Sequence, residues 1–260
     1  MKKLLVFIGA VLVCAVAFAQ TVSIDWKVDG STYAQNTCEY GGTLTVPTQP
    51  TKYGYTFQGW RAIYTRIEYI ESTGTQWIDT GIIAKSSIKA EFVVDRPVPP
   101  ARGTSWRPLA SMEDATNGIF KVAESTNSYG GKYIALQYGK TSVSEIITES
   151  WVASGFNQSK FVLDGGILTV DNGAHTITSP QAGQTFNSGH NLRLFLPEGK
   201  TNSANCTMYY MKLWDGDILV RDFIPVLDGA GTPCMYDKVT QQFFYNQGTG
   251  DFIAGPMLYE

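Results

Sequence analysis

Histidine is nearly absent: the chain holds only His175 and His190 in 260 residues. A zinc centre with neighbouring imidazoles therefore lacks its ligands, and neither histidine lies in a His-Glu-x-x-His helix. Charge of one sign is never concentrated. The 20 Lys and Arg and 23 Asp and Glu are scattered, so the basic surface that phosphate backbones require is missing and nucleic acid is not an expected partner. No Gly-x-Ser-x-Gly elbow, Walker A loop, complete dinucleotide fingerprint or EF-hand loop occurs. Helical periodicity is almost missing as well, and beyond the first nineteen residues every apolar run is broken by Gly, Pro or charge within about ten residues, too short to span a bilayer.

What is present begins with MKKLLVFIGAVLVCAVAFAQ. Two lysines, an apolar run from Leu4 and the small residues Ala17 and Ala19 read as a secretory signal peptide over residues 1–19, with a retained anchor helix as the alternative. Val13 before Cys14 disfavours lipid anchoring, because lipoprotein processing wants a small residue there. The expected protein is exported to an extracellular, cell-surface or periplasmic location. Cys38, Cys206 and Cys234 then remain, an odd number; Cys206 with Cys234 is the preferred pair and buried thiols the alternative.

Thirteen per cent aromatic and only 17% charged residues, with abundant Gly, Thr, Ser and Asn, describe a secreted β-protein. From Thr21 the alternation of Val22, Ile24, Trp26 and Val28 predicts a half-buried strand ended by Asp29-Gly30. A second strand is predicted over GGTLTVP, and then comes PTKYGYTFQGW (residues 50–60), with four rings in eleven residues. Further strands are predicted at residues 88–94, 118–123, 132–139, 160–165, 167–173, 191–197, 206–215 and 218–226. Asp215-Gly216-Asp217 and Gly165-Gly166 predict tight hairpin turns, and CMYD against FFYN a closing hairpin. RPVPPARGTSWRP, at residues 96–108, is predicted to be a loop. The fold class is all-β: a small β repeat module followed by an antiparallel β-sandwich.

The order of CEYGGTLTVPTQP and PTKYGYTFQGW resembles the Listeria-Bacteroides repeat, also called the internalin B-repeat, over about Thr21 to Ala62. FVLDGGILTVDNG, NLRLFLP and MYYMKLWDGDILVRDFIPV resemble in turn the laminin G-like branch of the concanavalin A-like lectin/glucanase superfamily, over about Glu68 to Gly255. The resemblances imply a repeat-like module at residues 20–64 and a jelly roll at residues 65–260. They also make the rings of PTKYGYTFQGW the small module's own core, with Phe57 or Trp60 packed on Trp26 or Leu44.

The paired carboxylates of a retaining glucanase, about 5 Å apart, are not found in one Glu-x-Asp-x-x-Glu strand. Glu68 and Glu71 are at a spacing that puts them on opposite faces. Calcium, which lectin and laminin G-like sandwiches often bind, would draw on the turn residues Asp164, Asp171, Asp215, Asp217 and Asp228, whose plainer role is forming the turns. No other cofactor is expected. A sugar site needs exposed rings beside polar groups, and Trp77 with Gln76 and Asp79, Trp106 in the Pro-rich loop, and Trp151 near Asn157 are the candidates. The expected function is non-catalytic binding or adhesion, with a polysaccharide, cell-surface glycan or envelope protein as partner. A structural module of an envelope or phage-like assembly, and a divergent glycoside hydrolase, are the alternatives.

Overall fold

The computed structural model describes residues 2–10, 21–39, 43–96, 107–114, 117–126, 132–140, 144–147, 156–171, 173–195 and 204–258. Within them the structure is all-β. The strands are β1 (Lys2–Ala10), β2 (Thr21–Val28), β3 (Ser31–Glu39), β4 (Tyr55–Ala62), β5 (Tyr64–Arg66), β6 (Ile70–Thr73), β7 (Ile78–Lys85), β8 (Ile88–Arg96), β9 (Arg107–Asp114), β10 (Gly118–Thr126), β11 (Lys132–Gly139), β12 (Ser144–Ile147), β13 (Phe156–Asp164), β14 (Ile167–Val170), β15 (His175–Thr178), β16 (Asn187–Leu194), β17 (Asn205–Asp215), β18 (Ile218–Asp228), β19 (Pro233–Asp237), β20 (Gln242–Phe244) and β21 (Ile253–Ala254). The chain divides into two compact units, Met1–Thr65 with Asp228–Gly231, and Arg66–Leu227 with Thr232–Glu260.

The first unit is one sheet in the order β3-β2-β1-β4, antiparallel except for the parallel pair of β1 with β4. Lys2–Ala10, within the stretch that reads as a signal peptide, is thus a central strand of this sheet. Asp29 and Gly30 take positive φ, 52° and 81°, which turns β2 back into β3 where the Asp-Gly pair signalled an end. Trp26 is fully buried and its indole N–H donates to Asn36 Oδ1. Trp60 meets Trp26 edge-on at 4.9 Å and Phe57 at 5.3 Å, so Trp60 packs on Trp26 as expected, but both Trp60 and Phe57 stay half-buried and Tyr53 is exposed. Leu44 takes no part and is 39% exposed.

The strand predicted over GGTLTVP is corrected: residues 43–50 carry no ladder, and residues 41 and 42 lie outside those described. Alternation suggested a strand there, but Pro47 and Pro50 remove two donors. Side chains hold the segment instead, Asn36 Nδ2 donating to Thr45 O at 2.7 Å and Tyr33 Oη lying 3.5 Å from Thr48 Oγ1.

The second unit is a sandwich. One sheet runs β12-β11-β10-β9-β16-β7; the larger follows the path β15-β14-β13-β8-β17-β18-β19-β20. Strand alternation turns one face of each sheet inward, so Ile78, Phe120, Val122, Leu136 and Leu194 meet Phe92, Phe161, Met211, Leu213 and Phe223 in a single core. Phe92 and Phe161, paired in register, lie parallel at 5.3 Å. Gly165 and Gly166, φ 55° and 90°, make the tight turn that joins β13 to β14, a conformation that would strain residues with a Cβ. The hairpins β17-β18 and β19-β20 form where their turn residues predicted. In the second, Asp237 is fully buried and its carboxylate accepts from the Asp222, Val239 and Thr240 amides and the Thr240 hydroxyl.

Of the Pro-rich segment, residues 97–106 lie outside those described; Pro108 already belongs to β9, beside a bulge where its missing donor is tolerated. The preferred disulfide is also corrected. Cys206 and Cys234 form no disulfide. Cys206 lies on β17 and contributes to the core, whereas on β19 it is the neighbouring Met235 that does. Cys206 lies opposite Ser72 on β6 and Cys234 opposite Val226 on β18, so the two are not cross-strand neighbours.

Candidate functional site

On the sheet that contains β7, alternation sends every second side chain away from the core. Trp77, just before β7, and Asp79 share that outward direction, while Ile78 and Thr80 are fully buried. Register then fixes their neighbours. Asp79 pairs with Arg193 on β16, Arg193 with Ser111 on β9, Ser111 with Lys121 on β10, and Lys121 with Gln137 on β11. Residues directly opposite in an antiparallel ladder project to the same side, so these five make one polar row across five strands, about 19 Å from end to end.

The row is open at one end only. Asp79 and Arg193 are half-buried, but Ser111, Lys121 and Gln137 are 0%, 4% and 6% exposed, although their strand neighbours Ala110, Phe120, Val122 and Leu136 take the core side. Among the described residues the buried Ser111 hydroxyl meets no hydrogen-bond partner. A buried hydroxyl in that state costs about 1–3 kcal/mol unless something satisfies it.

Two devices hold the open end. Asp79 Oδ1 accepts from the Gly81 amide at 2.8 Å, which fixes the carboxylate where β7 and β16 shift register. The segment Asn246–Asp251 grips Trp77 from the other side. The Trp77 amide donates to Asn246 Oδ1 at 3.0 Å, the Gln247 amide donates to Trp77 O at 2.8 Å, and Gln76 Nε2 donates to Asp251 O at 3.0 Å. The Arg193 guanidinium carbon then lies 4.7 Å from the centre of the Trp77 ring, a cation–π contact. The indole face therefore helps to position the Arg193 guanidinium at the open end of the row.

Of the sequence-predicted site residues, Trp77 and Asp79 come together here, and Gln76, 3% exposed, supports them from below. Trp106 and Trp151 lie outside the described residues. Arg193, Ser111, Lys121 and Gln137 were not among the predicted residues. The segment 248–251, which reads as a Gly-rich turn, supports Trp77. Carboxylates of the larger sheet are engaged otherwise: Glu91 accepts from the Tyr210 hydroxyl at 2.9 Å and pairs with Lys160 at 2.9 Å, and burial raises the Asp95 carboxyl above its ordinary range. Of the turn aspartates, Asp171 accepts from Ser159 and the Lys160 amide, Asp215 from Ser87 and Lys85, and Asp228 from the Ala230 amide. Among the described residues no three His, Cys, Asp or Glu side chains are placed to share a metal ion.

Cavities are found elsewhere among the described residues. One of about 400 Å³ in the first unit is lined by Gln49, Lys52, Tyr53, Tyr55 and Phe57. Another of about 550 Å³ in the second unit is lined by Asn117, Lys140, Thr185, Phe186 and Asn187. No helix among the described residues is long and apolar enough to cross a membrane.

No curated protein matches this chain. One similar solved structure is that of a protein from Bacteroides ovatus ATCC 8483, provisionally named a carbohydrate binding protein, with 9% identity and a TM-score of 0.46 over 92% of this chain and 70% of that one. Residues 23–85 match the Listeria-Bacteroides repeat domain, so the repeat read in the sequence is present, and the matched interval runs beyond the first unit to the end of β7.

Proposed function

We propose that the chain is an exported, non-catalytic binding protein whose second unit holds a glycan at the open end of the polar row. The observation that carries this reading is the row itself: acid, guanidinium, hydroxyl, ammonium and amide side chains set in register on a sheet face turned away from the core, with Trp77 beside them. At the open end the half-buried Asp79 and Arg193 offer an acceptor and donors to sugar hydroxyls, beside an indole ring of the kind on which the apolar face of a pyranose stacks. Export is supported by the leader sequence, and a surface role by the repeat at residues 23–85.

A glycan array probed with the full chain tests the reading. Binding is expected to a restricted set of saccharides, and to fall at least about tenfold in Trp77→Ala and in Asp79→Ala, a difference of about 1.4 kcal/mol each. Binding that survives both substitutions would place the ligand elsewhere; a blank array with the folded chain would remove the glycan reading.

A further inference from the structure

We infer that the second unit carries another binding site, the cavity beside Asn187, and that it receives the acid group of a monosaccharide-sized ligand on Lys140 and Asn187. The inference is independent of the polar row and of the glycan reading above.

At about 550 Å³ the cavity lies within the usual range of small-molecule sites. Two glycines make room for its surroundings. A Cβ at Gly118, the first residue of β10, would lie 2.3 Å from the Phe186 ring, and one at Gly139, the last of β11, 2.5 Å from Gln181 Cβ. A glycine at a strand position marks a place where another group approaches closely, and here Phe186 and Gln181 are the groups admitted. Each is then fixed. Phe186 meets Tyr138 edge-on at 5.1 Å and its carbonyl accepts from the Ser86 amide at 3.0 Å. Gln181 Oε1 accepts from the Lys140 amide at 2.8 Å, which anchors the backbone that carries the lysine. Phe186 is buried and gives the cavity an apolar wall, whereas Lys140, Thr185 and Asn187 line it as exposed residues.

The polar lining is rich in donors. Asn187 Oδ1 accepts from the Gly189 amide at 3.0 Å, so the carboxamide oxygen is taken and its two N–H groups are left for a ligand. Lys140 adds an ammonium, with three donors and no acceptor, that forms no ion pair among the described residues. The Thr185 hydroxyl, also without a partner among them, can donate as well. None of the described lining residues is Asp or Glu. A neutral sugar would bring hydroxyl donors that the ammonium and the Asn187 N–H groups cannot accept. An ionised acid group only accepts, and its hydrogen bonds to an ammonium are about twice as strong as neutral ones.

Magnetic-resonance titration of the full chain with glucuronate, glucose 6-phosphate and glucose tests the inference. At least one of the two acids is expected to bind at least about tenfold more tightly than glucose, with shifts at the Lys140, Thr185 and Asn187 amides; a preference for either supports the site and names carboxylate or phosphate as its source. Asn187→Asp keeps an acceptor for the Gly189 amide but puts a negative charge where the two donors were, and is expected to abolish the preference. Lys140→Met is expected to weaken acid binding at least about tenfold, and Lys140→Arg to retain it. Both positions are exposed, so unchanged thermal midpoints are expected to show that these variants fold. Trp77→Ala and Lys212→Met are expected to leave acid binding unchanged. Loss in Trp77→Ala would move the acid to the row, and loss in Lys212→Met would make its binding unspecific charge attraction; either result overturns the inference. Equal affinity for glucose, or no binding of either acid by the folded chain, overturns it too, while the glycan reading stands or falls on the array.

Discussion

Gly248 shows how far one residue supports the site. A Cβ built there would lie 1.9 Å from the Thr75 carbonyl oxygen and 3.0 Å from Trp77 Cδ1. The first obstacle is backbone and cannot swing aside, so Gly248→Ala must push the segment Asn246–Asp251 off Trp77. We expect a loss of about 1–3 kcal/mol, seen as a lower midpoint in urea, and weaker glycan binding although residue 248 touches no ligand. An unchanged midpoint would show that the segment is not closely packed on Trp77. At this scale the sequence was partly legible. Trp77 and Asp79 could be picked out because ring and acid stand two residues apart near a strand. Arg193 and Ser111 could not, since each is an ordinary outward residue of its own strand and joins the row only through its register partners.

Elements bounded by turn chemistry were the most readable. Gly165-Gly166 and Asp215-Gly216 each fixed a hairpin, because few residues other than glycine accept those φ values. Alternation alone was less reliable: it predicted a strand over residues 41–47, where the described residues from 43 on, with two nearby prolines and the Asn36 side chain, give a tethered loop. It also missed β3, whose polar residues hide a strand that pairs along the whole of β2. The first unit depends on these few strands and on one large, fully buried side chain among its described residues, Trp26. Trp26→Ala should therefore cost about 3–5 kcal/mol, most of what so small a unit has. In hydrogen exchange, amides of β2 and β3 are expected to lose protection while those of β8 and β17 keep theirs. Equal loss in all four strands would contradict a separate first-unit core.

On the scale of the whole molecule, the all-β class and the sandwich were readable from composition and spacing, because many short strands punctuated by Gly, Asn and Asp leave few other ways to bury so much aromatic surface. The strand order was not. Residues 79, 111, 121, 137 and 193 meet only because β7, β16, β9, β10 and β11 are neighbours in one sheet, and long-range pairing leaves no local trace in the sequence. That order is what turns scattered polar residues into a row with one open end. The central claim, that the open end of this row is the binding surface, is tested most directly by mapping amide chemical-shift changes as a saccharide selected on the glycan array is titrated into the full chain. The account predicts that changes concentrate at Trp77, Asp79, Ser111 and Arg193; changes confined to the cavity beside Tyr53 and Phe57, or to that beside Asn117 and Asn187, would contradict it.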